Sequence, residues 1–231
     1  MQKRVRGMIS FVLVFLMAFS TPLTALAEEY DLAQGSVTVN AKADGTYVTQ
    51  AGGVTNEKQT TDTVITQSTD TATTNKITVN ASSGVDVEVT IEDVNINASG
   101  AAMSVSRGEG SSVTVELEGD NNLTSGTGAA GLQTSGGGEL IIQDEDGDGS
   151  LTAQGGENGA GIGGGDGEDG SNITVTGGTV TATGGRCGAG IGGGDDGSGS
   201  SITVSGGEVT AVGGDGGAGI GGGWKGAGSN I

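Results

Sequence analysis

Histidine is absent from the sequence, and cysteine and proline occur once each. Without histidine there is no imidazole to act as a general base near neutral pH or as a zinc ligand. The lone Cys187 rules out an internal disulfide framework. It reads as a tolerated substitution within a repeat, the alternative being a pairing between chains. Aromatics are few as well. Phe11, Phe15, Phe19 and Pro22 all fall in the first 27 residues, which leaves Tyr30, Tyr47 and Trp224 for everything after. Any core must therefore be aliphatic. No segment after residue 27 carries a 3.6-residue hydrophobic period, so helices are not expected.

Positive charge is the next shortage. Beyond residue 27 the basic residues are Lys42, Lys58, Lys76, Arg107, Arg186 and Lys225, against 28 acids, a net charge of −22 for residues 28–231. Such a chain repels nucleic acid and anionic membranes. The start of the sequence is different. Lys3, Arg4 and Arg6 precede an apolar run from Met8 to Phe19, and Ala25-Leu26-Ala27 closes it. That order is the pattern of a secretory signal peptide cut after Ala27. An uncleaved anchor is the alternative, although the run is short for a span of roughly 20 residues. A secreted chain with no membrane span after cleavage is the expectation.

What the sequence has in abundance is glycine, 50 residues of it, placed periodically. The phrase GAGIGGG occurs at 159–165, 188–194 and 217–223, so Ile162, Ile191 and Ile220 are spaced by 29. Ile173, Ile202 and Ile231 keep the same interval, as do Val180 and Val209. Degenerate copies run back to Ile77. Within each unit, as in SNITVTGGTVTATGG, aliphatic residues alternate with Thr, the period-two signature of short half-buried strands, and Gly-Gly pairs mark the corners. A flexible glycine-rich linker would not hold Ile and Val in a fixed register. The pattern predicts an all-β chain, a right-handed parallel β-helix with turns of about 29 residues. The expected organisation is a signal peptide (1–27), an N-terminal cap or Thr-rich stalk (28–76), degenerate turns (77–154) and regular turns (155–231). The last unit stops at Ile231 at the start of a strand, which suggests a longer parent protein.

Three groups of residues are candidates for chemistry. In QDEDGDGSLTA, Asp144, Asp146 and Asp148 resemble the start of a calcium loop. However, Gly155 stands where the bidentate Glu of an EF-hand is needed, and no helix pattern flanks the loop. The segment aligns instead with the repeat as a corner enlarged by four residues, still a candidate for calcium. A second acidic series, Asp166 and Asp169 then Asp195 and Asp196, recurs after GAGIGGG, and stacking would bring Asp166 and Asp195 together. For sugar, Trp224 takes the corner position held by Asp166 and Asp195 in earlier copies. Stacked hydroxyls, Thr174 on Thr203 and Thr181 on Thr210, offer hydrogen-bonding ladders. No paired acid and base with a suitable residue set is evident, so catalysis is not expected.

The phrases YDLAQGSVTV, ITVNASSGVDVEVTIEDVNI, ELIIQDEDGDGSLTAQGG and GAGIGGG…ITVTGGTVTATGG resemble secreted Gram-positive, clostridial-type surface proteins with glycine-rich β-helix repeats or carbohydrate-binding domains. The resemblance implies a right-handed parallel β-helix displayed outside the cell. It also implies a non-catalytic binding or adhesion module for extracellular polysaccharide or cell-wall glycan, acidic polysaccharide such as pectin included, with calcium as a possible aid. A passive stalk within a larger surface protein is the alternative. The sequence sets no oligomeric state.

Overall fold

The computed structural model describes residues 27–53, 57–59 and 62–231. The expected leader, 1–27, lies almost entirely outside them. The described chain winds as a parallel β-solenoid whose successive turns add one strand each to three sheets of eight, five and nine strands. One turn shows the plan. Leu132–Gly136 lies on the nine-strand face, Glu139–Gln143 on the eight-strand face and Ser150–Gln154 on the five-strand face.

The 29-residue register is the stacking register. Ile162 pairs with Ile191 and Ile191 with Ile220. Earlier turns are shorter, Ile77 pairing with Met103, 26 residues on. Each face then presents more than one inward column. Ile77, Met103, Leu132, Ile162 and Ile191 stack on the nine-strand face, and Val87, Val113, Leu140, Ile173 and Ile202 on the eight-strand face. Ile96, Leu123, Ala153 and Ala182 stack on the five-strand face. All of these residues are buried. Neighbouring strands stand about 4.8 Å apart, so aliphatic side chains of adjacent turns touch and no aromatic core is needed. The alternation of Ile and Val with Thr places the hydroxyls outward, where the backbone ladder leaves them solvated.

The GAGIGGG phrase supplies only a two-residue strand on each turn, Ile162–Gly163, Ile191–Gly192 and Ile220–Gly221. Its glycines bring backbone against backbone instead. The N-terminal part joins the same sheets. Val37–Lys42 pairs in parallel with Ile77–Ala81 and antiparallel with Gly45–Gln50, which pairs antiparallel in turn with Glu57–Lys58 at that edge of the nine-strand sheet. Glu28–Asp31 pairs in parallel with Thr63–Thr66 at the edge of the eight-strand sheet. No helix among the described residues is long and apolar enough to cross a membrane.

Candidate functional site

A groove of about 590 Å³ runs along the eight-strand face, crossing successive turns rather than following any one strand. Its wall is built from equivalent positions near the start of each strand, Asp86, Ser112, Glu139, Asn172 and Ser201, with Thr174 and Thr203 two residues further along. The strands Val87–Glu92, Ser112–Glu118, Glu139–Gln143, Gly170–Val175 and Gly199–Val204 are consecutive in this sheet. The wall therefore extends over four strand spacings, about 19 Å. Two residues inside these strands adopt left-handed backbone, Asn172 at φ 53° and Ser201 at φ 53°. Both are skipped in the pairing, which runs Ser171 with Ser200 and then Ile173 with Ile202. This local kink opens the groove beside them.

The polar groups in the groove are already ordered. Asp86 Oδ1 accepts from the Ser112 amide at 2.8 Å and the Ser112 hydroxyl at 2.7 Å. Those two bonds hold the Asp86 carboxyl below the usual 3.8, so it is ionised at neutral pH. Glu139 Oε1 accepts from the Thr174 hydroxyl at 2.6 Å, and Asn172 Nδ2 donates to the Gly137 carbonyl at 3.0 Å. Carboxylates, an amide and hydroxyls in one open channel form an acceptor-rich surface for the O–H groups of an extended ligand.

The sugar candidates from the sequence are divided by the fold. Thr174 and Thr203 pair with each other and line the groove. Thr181 and Thr210 also pair, but on the five-strand face. Trp224 is 48% exposed in a corner, with Lys225 Nζ 4.6 Å from its ring centroid, and it is not part of the groove wall. Asp86, Glu139, Asn172 and Ser201 were missed. They do not repeat in the sequence as the Thr pairs do, and only stacking brings them into one line.

The acidic candidates are also dispersed. Asp144 closes its own loop, Oδ1 accepting from Gly147 N at 2.7 Å and Oδ2 from Gly149 N at 3.1 Å, while Asp146 and Asp148 are exposed. The four extra residues are confirmed by the register, since Leu140 pairs with Ile173 and Leu151 with Val180. The enlarged corner folds back over the preceding turn, where Glu145 N donates to Glu116 Oε1 at 2.7 Å. Asp166 Oδ2 accepts from Asn158 and Asp169 Oδ1 from the Ser198 amide. Asp196 pairs with Lys225 at 3.3 Å on the surface, and Asp195 Oδ1 is buried without a hydrogen bond. Among the described residues no group of three or more Asp, Glu or Cys side chains could hold a metal ion.

This acidic crowding has a pH signature. Partial burial, then the charges of Asp62, Glu116 and Glu145, pushes the Glu88 carboxyl above the usual 4.5. Partial burial, then Glu92, Asp146, Asp148 and Glu116, does the same for Glu118. A carboxyl whose pKa is raised by folding binds more protons in the folded state across that window, so stability falls as pH rises through it. Asp31 and Asp86 have lowered values, and their contribution is lost as pH falls below about 3.8. The melting temperature, followed by circular dichroism, is expected to rise on going from pH 7 to about pH 5 and to fall again below about pH 3.5. The rise should shrink in high salt, which screens exposed carboxylates.

A family model described as a β-helix repeat matches residues 146–166, 173–195 and 202–224. No curated protein and no solved structure matches the chain. Fold, register and this match agree on one class, a parallel β-helix repeat protein. The second and third matched segments begin 29 residues apart, the interval at which Ile173 stacks on Ile202.

Proposed function

We propose that the protein is a non-catalytic module, displayed outside the cell, that binds an extended polysaccharide such as a cell-wall glycan along the eight-strand face. The observation that carries this reading is the groove itself. It runs along the stacking axis, and each turn contributes a hydroxyl, carboxylate or amide at the same level of the strand. A linear polymer lying there meets a new set of partners at every turn, about 4.8 Å further on. The open form suits a chain bound along its length rather than a small molecule enclosed at its end.

Both groove carboxylates are held by hydroxyl donors, Asp86 by Ser112 and Glu139 by Thr174. They are acceptors in a hydrogen-bonding surface rather than an acid facing a nucleophile. The location rests on the leader-like residues 1–27, with their basic start, apolar run and Ala25-Leu26-Ala27.

Affinity electrophoresis through gels cast with individual neutral and acidic polysaccharides tests the proposal. The protein is expected to be retarded by at least one of them. Thr203→Arg, which fills the groove, should abolish the retardation, whereas Thr181→Arg on the five-strand face should leave it intact. Thr174→Val should weaken binding about fivefold, the equivalent of one hydrogen bond of about 1 kcal/mol. Absence of retardation by every polymer, or equal loss in both Arg variants, would remove the groove from the account and leave a rigid spacer.

A further inference from the structure

A second hollow, of about 350 Å³, lies beside the groove and has different chemistry. Its floor holds Arg107 and Thr134. In Met103–Arg107 the residues Met103, Val105 and Arg107 all share the inward parity, and Arg107 pairs between Ala81 and Gly136 in the stack. A guanidinium thus occupies a core column and is only 2% exposed. It reaches the strand Gly170–Val175 of a later turn, where Nη1 donates to the carbonyl oxygens of Ser171 at 3.1 Å and Asn172 at 3.0 Å. Burial pulls its pKa down to about 10, still well above neutrality, so it remains a cation.

That cation is incompletely satisfied. Among the described residues its Nε is buried with no hydrogen-bond partner, and no carboxylate stands within ion-pairing distance. The Thr134 hydroxyl, on a residue 1% exposed, is likewise buried without a partner. Glu139 acts on it through space without a contact ion pair. A buried cation with no directly paired counter-ion is costly, and one unpartnered hydroxyl beside it adds to the cost. Two such groups, from adjacent turns, border the same hollow.

We propose that this hollow is a subsite for a single carboxylate group, received by Arg107 and Thr134. With Nη1 committed to two backbone carbonyls, the remaining edge of the guanidinium is Nε–Nη2, the side that pairs two parallel N–H donors with two carboxylate oxygens. Ser135 and Ser171, also in the wall, supply further hydroxyls. The rim argues for one negative charge and against two. Glu168 and Asp169 border the opening. Their carboxylates are tied back, Glu168 Oε2 by Gln133 at 2.8 Å and Asp169 Oδ1 by the Ser198 amide at 2.7 Å. Their charge still disfavours a dianion such as phosphate. The proposal does not depend on occupation of the neighbouring groove.

The test is a nitrogen-15 NMR titration of the arginine Nε–H resonances. The full chain has four arginines, Arg4, Arg6, Arg107 and Arg186, and Arg107→Lys identifies the relevant signal by its loss. Sodium glucuronate is added against sodium chloride at matched ionic strength, with glucose and inorganic phosphate as comparisons. The Arg107 Nε–H signal is expected to shift saturably with glucuronate and not with glucose, and phosphate should bind at least tenfold more weakly. Thr134→Val replaces an unpartnered hydroxyl by a methyl of similar shape. It should keep the melting temperature and weaken glucuronate about fivefold. Acetate binding as well as glucuronate would mark a free small acid as the ligand, and tighter binding of a uronic-acid oligosaccharide would mark a polymer unit. An Arg107 resonance that ignores glucuronate, or moves equally with sodium chloride, would overturn the proposal.

Discussion

Replacing Ile191 by alanine is expected to destabilise the solenoid by about 2–5 kcal/mol, the cost of deleting a buried aliphatic side chain that its surroundings cannot fully refill. Ile191 is fully buried and stacks on Ile162 on one side and Ile220 on the other. Its surroundings have little freedom to collapse, because the flanking Ala189 and Gly190 are buried and their backbone is already tied. Ala189 N bonds to Gly193 O at 2.9 Å and Gly190 N to Ala218 O at 3.0 Å. Ile220→Ala removes the same atoms from the last turn, where Ile220 is only partly buried. It should cost less than half as much. Urea unfolding of the two variants, compared by midpoint at equal slope, measures the difference. Equal losses at both positions would contradict a stack in which each turn is supported by two neighbours and the terminal turn by one.

That asymmetry bears on what could be read from the sequence. The columns of Ile162, Ile191 and Ile220 and of Ile173 and Ile202 were legible because identical turns must repeat their inward residues at the turn length. The enlarged corner at Asp144–Gly149 was legible for the same reason: the residues on each side of it stayed in register. The groove was not legible. Its members Asp86, Glu139 and Asn172 come from turns of unequal length, and the left-handed backbone at Asn172 and Ser201 breaks the pairing locally. Alternation alone marks outward residues without saying which of them share a channel.

Arg107 shows a different failure. In MSVSR the parity of Met103 and Val105 assigns Arg107 to the interior, yet an arginine is ordinarily read as solvated. The space for it is set by another turn, since Gly136 is its stacking partner and contributes no side chain. Glu116 makes the converse point. Its parity is outward, between Val115 and Leu117, but the enlarged corner covers it to 9% exposure. Insertions in one turn thus decide burial in the turn before, a relation that no window along the chain contains. Of the five sugar candidates, hydroxyl stacking was right as geometry for both Thr pairs, and only the assignment to faces separates Thr174 and Thr203 from Thr181 and Thr210.

The second large effect concerns backbone rather than side chains. Gly192→Ala should cost at least about 3 kcal/mol, from strain and from collision together. Gly192 has φ 134°, and a Cβ there would lie 1.8 Å from the Gly221 carbonyl oxygen of the next turn. Relief requires that turn to move, yet its backbone is tied to this one, Gly193 N donating to Gly221 O at 2.9 Å. The predicted result is detachment of the final turn: earlier proteolytic cleavage beyond residue 192 and a lower, broader melt. Gly147→Ala is the matched control. Gly147 also has positive φ, 82°, but a Cβ there meets nothing within 4 Å. It should therefore show only the conformational penalty of about 1 kcal/mol. If the two variants behaved alike, glycine in GAGIGGG would be serving the corner's dihedral angles. If Gly192→Ala is far worse, it serves the close stacking of backbone on backbone, which would explain why an isoleucine flanked by glycines can repeat three times as a strand of only two residues.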